Sequence, residues 1–213
     1  MFYTGILKKS CAAFMPNPAP RNAVPRPGFS ASGAESRLMH NQRDGSKLPG
    51  KPVSASATEL ATLVEPSQTN AMGNIHGGVI MKLADQAAGA AAIRHAGRIC
   101  VTASIDRLDF INAVHVGELV RLKASVNYVH RTSMEVGVRI EAENLATGDN
   151  KHVVSAYLIF VALDDECKPV PVAPVVPHSD IEKLRYRQAE LRYKQRKENR
   201  AQQRALSEAT QTR

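Results

Sequence analysis

Residues 69–89 read TNAMGNIHGGVIMKLADQAAG, and the reading of this stretch decides the fold. Three turn-forming residues, Asn70, Gly73 and Asn74, lead into His76-Gly77-Gly78, and there the composition changes. From Val79 to Ile93 nearly every residue is apolar or small, interrupted only by Lys82, Asp85 and Gln86. The run is too long for a buried strand and predicts a helix from the glycines to about His95, stopped before Gly97. A helix apolar nearly all round must be covered on most sides. A carboxylate within it is costly unless paired, hydrogen-bonded or wetted. Asp85 therefore needs a reason to be there, and it is the first candidate functional residue.

Around this helix the hydrophobic period changes to two. TELATLVEP reads as a first strand ending at Pro66, and further strands are predicted near 99–111, 117–130, 133–144 and 151–163. In the segment from 133, Met134, Val136, Val138, Ile140 and Ala142 alternate with Ser133, Glu135, Gly137, Arg139 and Glu141, the pattern of a half-buried strand. LATGDNK joins the last two strands as a hairpin. One strand, one buried helix and four long antiparallel strands make an α+β domain in which a curled sheet wraps a central helix. Such a sheet leaves free edges and one helix side open. Ala84, Ala87, Ala88, Gly89, Ala90, Ala91 and Ala92 permit close approach of another backbone, so a homodimer through helix and sheet edge is the expected completion.

Charge divides the chain into three. Residues 1–57 hold 8 Lys/Arg against 2 Asp/Glu, residues 58–180 hold 10 against 14, and residues 181–213 hold 10 against 4. The excess positive charge lies in the tails, whereas a nucleic-acid-binding domain would place it on the folded part, so no nucleic acid is expected. The expected organisation is a disordered leader over 1–57, one domain over 58–177 and a charged helical tail over 178–213. The leader is rich in Pro and Ser, basic and acid-poor, as organelle transit segments are, which makes the mitochondrial matrix or the cytoplasm the expected location. KPVPVAPVVP, from residue 168, reads as an extended strip across the domain, and 180–206 as a charged helix projecting into water. No apolar run approaches the ~20 residues of a membrane-spanning helix. Cys11, Cys100 and Cys167 are odd in number and far apart, which argues against a disulfide framework or a zinc site. No P-loop, dinucleotide signature or metal cluster appears, so neither metal nor cofactor is expected.

The order T-N-x-x-G-N-x-H-G-G opening the helix, D-R-L-D-F-I after it, V-G-E-L-V opening a strand and R-T-S-M-E-V in the next resembles the hotdog-fold acyl-CoA thioesterases over about 58–177. The similar branch holds the cytosolic and mitochondrial long-chain acyl-CoA hydrolases and their small bacterial relatives. The resemblance implies hydrolysis of acyl-CoA to fatty acid and CoA, with CoA entering only as part of substrate and product. It implies Asp85 as general base or direct nucleophile, and Asn70 of the facing subunit orienting water or carbonyl, with Asn74 competing for that role. Gly77 and Gly78 would polarise the carbonyl through their amides, and His76 would orient the site. Arg131, Thr132 and Ser133, and Arg94 with His95 at the helix end, would meet the phosphates of CoA. With one domain copy in the sequence, the resemblance implies a homodimer and a trimer of dimers. Two rival readings remain: a hotdog dehydratase of 3-hydroxyacyl thioesters with His76 as base, and a non-hydrolytic acyl-CoA sensor or scaffold.

Overall fold

The computed structural model describes residues 48–211, so the leader up to residue 47 lies outside the described residues. The decisive helix, α1, spans Gly77–Ala96. His76 caps its start, with Nδ1 accepting the Gly78 N–H at 3.2 Å. Gly97 ends it with φ of 69°, a left-handed conformation that glycine adopts without strain, and its N–H closes onto the Ile93 carbonyl at 2.8 Å.

A short β1 (Lys51–Pro52) opens the described chain, followed by β2 (Thr58–Leu63) before the helix. After it come β3 (Cys100–Phe110), β4 (Leu119–His130), β5 (Ser133–Glu143) and β6 (Asn150–Ala162), in the predicted order. The five long strands form one antiparallel sheet, β2-β4-β5-β6-β3, with β2 and β3 at its edges. Register confirms the alternation seen in sequence: Met134 faces Phe160, Val136 faces Leu158, Val138 faces Ala156 and Ile140 faces Val154. These side chains are buried with Ile80, Ala84, Ala87, Ala88, Ala91 and Ala92 of α1. Alanines on this side of the helix let it approach the sheet closely, and the apolar area so removed from water is the main stabilising term.

The open helix side expected of a single sheet is present: Met81, Lys82, Gln86 and Ile93 form an exposed stripe, and Asp85 lies half-buried within it. Other expectations are corrected. The folded unit begins before residue 58, because Ser56 is buried, takes the Val126 N–H at 2.9 Å and donates to the Val53 carbonyl at 2.7 Å. Cys167 is disulfide-bonded, which its spacing from the other cysteines did not foretell. Finally α2, Asp180–Gln211, does not simply project into water. Its first half lies on the outer face of the sheet, with Ala189 buried and Tyr186 edge-on to Tyr128 at 5.1 Å. Arg192 reaches the buried Glu135 with two bonds of 2.6 and 3.2 Å and covers the Tyr157 ring at 3.9 Å.

The strip from residue 168 crosses the domain as expected. Val172, Ala173 and Val175 are buried, the Val172 N–H reaches the Arg131 carbonyl at 2.8 Å, and β7 (Val175–Val176) pairs with β1 in parallel.

Candidate active site

Asp85 stands on the open stripe of α1, about two turns into the helix. Its Oδ1 accepts a 2.6 Å hydrogen bond from the hydroxyl of Thr102 on edge strand β3. That bond fixes one carboxylate oxygen and leaves the other for chemistry. Thr102 carries no sequence signal, since a threonine in a strand is ordinary; only the fold shows that it faces the helix. Two residues before it, Cys100 is no rival nucleophile, because burial pushes its thiol up to about 12, outweighing the opposing effect of Arg98.

A second group of residues gathers at the helix start. Asn70, Asn74, Gly77 and Phe110 border a cavity of about 370 Å³ whose remaining lining includes Ile75, Ile80 and Val114. Asn70 organises its own turn: Oδ1 accepts the N–H groups of Met72 at 2.9 Å and Asn74 at 3.3 Å. Its Nδ2 amide makes no hydrogen bond among the described residues. Gly77 lies under the Phe110 ring, where an added Cβ would come 3.3 Å from the ring edge. The Gly78 N–H is already taken by His76 Nδ1, so of the two expected amide donors only that of Gly77 is open among the described residues. His76 caps the helix through its acceptor nitrogen.

These two groups cannot serve one thioester within one chain. Gly77 and Asp85 are eight residues apart, or about 12 Å along the helix axis. A carbonyl carbon within ~3 Å of Asp85 leaves its oxygen out of hydrogen-bond reach of Gly77 in the same chain.

The candidate phosphate contacts divide differently. Arg94 is exposed, but its guanidinium donates to the Ala57 carbonyl. His95 is a correction, for it is fully buried under the 168–177 strip. Its Nε2–H donates to the Ala173 carbonyl at 2.9 Å, and its own carbonyl takes Lys51 Nζ at 2.6 Å. Burial holds the imidazole below its ordinary range, aided by the Lys51 charge and opposed by the Ala173 bond, so His95 is a neutral core residue out of reach of phosphate. Arg131 is exposed at a tight turn with φ of 50°, Thr132 is half-buried, and Ser133 donates to the His130 carbonyl at 3.2 Å.

Comparison with known proteins places this geometry. A family model described as the thioesterase superfamily matches residues 72–148. The cytosolic acyl coenzyme A thioester hydrolase of Rattus norvegicus is 36% identical over 150 residues, covering 70% of this chain and 39% of that protein. The chain therefore spans well under half the length of this mammalian relative. The uncharacterized acyl-CoA thioester hydrolase YkhA of Bacillus subtilis is 38% identical over 149 residues, covering 70% of this chain and 87% of that protein. Among solved structures, an apo-hexameric acyl-CoA thioesterase superposes with a TM-score of 0.70 at 39% identity, covering 72% of this chain and 99% of that one. The acyl-CoA hydrolase of Staphylococcus aureus, solved with butyryl coenzyme A, coenzyme A and coenzyme A disulfide, gives 0.70 at 36% identity, covering 75% and 98%. Structures of that hydrolase exist with alanine in place of one aspartate, one asparagine and one threonine, at the same mutual spacing as Asp85, Asn70 and Thr102 here. With a five-stranded sheet packed on α1 and nearly the whole of these bacterial relatives matched, the chain belongs to the hotdog thioesterase superfamily.

Proposed function

We propose that the protein hydrolyses acyl-CoA thioesters to fatty acid and CoA, at a site built from two copies of the chain. The observation that carries the reading is the Asp85 carboxylate, held by Thr102 on the open stripe of α1, about 12 Å along the helix from the Asn70–Gly77 cavity that it must meet. A partner chain packed on the stripe and on the free edge of β3 brings the partner's cavity opposite Asp85.

Asp85 then acts in one of two ways. As general base it takes a proton from water, whose oxygen attacks the thioester carbon. As nucleophile it attacks that carbon itself and forms a mixed anhydride that water later opens. In both, electrons move onto the carbonyl oxygen and the C–S bond then breaks, releasing CoA thiolate, which takes up a proton. The partner's Gly77 N–H, at the positive end of a helix, and the amide of its Asn70 suit the developing oxyanion. The apolar lining near Ile75, Ile80 and Val114 suits an acyl chain. Asp85 and Asn70 count against a pure sensor, which has no use for a carboxylate beside a thioester. The capping bond of His76 counts against a dehydratase base, since its Nδ1 is engaged.

The names and ligands of the relatives support acyl-CoA as substrate, and the hexameric state of one supports assembly of the dimers into a trimer of dimers. The cytoplasm or the mitochondrial matrix is the proposed location. Lipid metabolism follows from the product.

Thiol release from short-, medium- and long-chain acyl-CoA by wild type and Asp85→Asn tests the reading. A loss of at least ~100-fold in kcat is expected for the variant, whose side chain keeps its size but loses its charge. Binding of the esters without thiol release by wild type would replace hydrolase with sensor.

A further inference from the structure

On the outer face of the sheet, opposite α1, a cleft of about 440 Å³ opens between α2 and strands β3 to β6. Its floor is apolar, with Ala103, Ile159 and Val161. One wall is a stacked aromatic pair: the Tyr193 and His130 rings lie 4.2 Å apart at 24°, joined by a 3.0 Å hydrogen bond between hydroxyl and Nε2. Above it Lys197, Arg200 and Arg204 line the cleft from α2, at the three- and four-residue spacing of one helix face.

The charge here is unbalanced. The carboxylates at the inner end, Glu135 and Asp106, are consumed by Arg192 and Arg196 through bonds of 2.6 to 3.2 Å. Among the described residues Lys197, Arg200 and Arg204 have no ion-pair partner. All three are exposed, and like charges at these spacings weaken a helix slightly. Three uncommitted cations over an apolar floor and an aromatic wall suit phosphates carried on a planar base. Guanidinium and ammonium groups take the phosphate oxygens, while the base finds stacking and apolar surface. The volume is within the range of small-molecule sites.

We propose that this cleft binds a phosphorylated nucleotide. Two sources share that chemistry, the nucleotide end of CoA and a free nucleotide. The first rests on the proposed hydrolase activity. Ala103 follows Thr102 on β3, so the cleft and Asp85 lie on opposite faces of one edge strand. Ser133, expected to meet phosphate, lines the same cleft. The phosphate grip thus comes chiefly from the tail helix.

The test compares wild type with the triple variant Lys197→Glu, Arg200→Glu, Arg204→Glu, which leaves Arg192, Arg196 and Tyr193 to dock α2. Calorimetric titration with adenosine 3′,5′-bisphosphate and with ADP reads binding directly, without reliance on turnover. Wild type is expected to bind, and the variant at least ~10-fold more weakly. The corresponding triple Gln variant, free of new charge, gives the same direction if the Glu variant loses helix by circular dichroism. KM for an acyl-CoA, taken relative to KM for the same acyl group on N-acetylcysteamine, separates the sources. The ratio rises if the cleft holds the end of CoA, and stays constant with nucleotide binding lost if it holds a free nucleotide. A wild type that binds nucleotide but hydrolyses no ester would refute the proposed function and leave this proposal standing. No binding at millimolar nucleotide, or equal binding by wild type and both variants, overturns it. A change of oligomeric state without a change in nucleotide binding would also overturn it, assigning the cations to a contact with a second copy.

Discussion

At the scale of single residues the account turns on the hydrogen bond between Thr102 and Asp85. An unsupported carboxylate on a helix stripe would sample several rotamers; the 2.6 Å bond from an edge strand selects one and engages only one of the two oxygens. Thr102→Val keeps the shape and removes the donor. The expected result is a fall of about tenfold or more in kcat/KM with an unchanged unfolding midpoint, read from thiol-release kinetics and thermal melts. Asp85 was legible in sequence because a charge stands out in an apolar run. Thr102 was not, because its partner lies 17 residues away across a loop and a strand threonine has no distinguishing neighbours. His95 shows the opposite failure. A histidine after an arginine at a helix end reads as a phosphate contact, and only the later strip of chain, through Ala173, turns it into core.

At the scale of elements, periodicity carried most of the fold. The run of 79–93 and the alternation of 133–144 each imply one kind of element, and α1 and β5 appear where they imply them. The tail helix was misjudged because its sequence is charged throughout, and the group that captures it, Glu135, belongs to a strand 57 residues earlier. The Glu135 side chain is only 1% exposed, so it depends on Arg192 and Arg196 for compensation. Arg192→Ala removes the two-bond partner and the cover over Tyr157. It is expected to cost ~3 kcal/mol in urea unfolding, the lower end for breaking a buried pair because Arg196 remains. A loss within ±0.5 kcal/mol, as surface substitutions give, would mean that α2 is not held by this pair.

At the scale of the whole molecule, the exposed stripe and the free edge of β3 leave the single chain incomplete in the same place where its chemistry is incomplete. The family resemblance already implied a site shared between Asp85 of one chain and Asn70 of another. The alanines read as a partner contact, Ala84, Ala87, Ala88, Ala91 and Ala92, are buried against the chain's own sheet, so the geometric case for the division is a separate one. It rests on the helix rise, which separates Gly77 and Asp85 by about 12 Å. The central claim is that each site takes Asp85 from one chain and Asn70 with Gly77 from another. Co-expression of Asp85→Asn and Asn70→Ala chains, each differently tagged, followed by isolation and assay of the mixed assemblies, tests it most directly. Each variant alone is expected to be nearly inactive. Random pairing makes half the dimers mixed, and each mixed dimer has one intact site of two, so about a quarter of wild-type activity should return in the unfractionated mixture and about half in isolated mixed dimers. Mixed assemblies no more active than the two variants assayed separately would contradict the account and place the whole site within one chain.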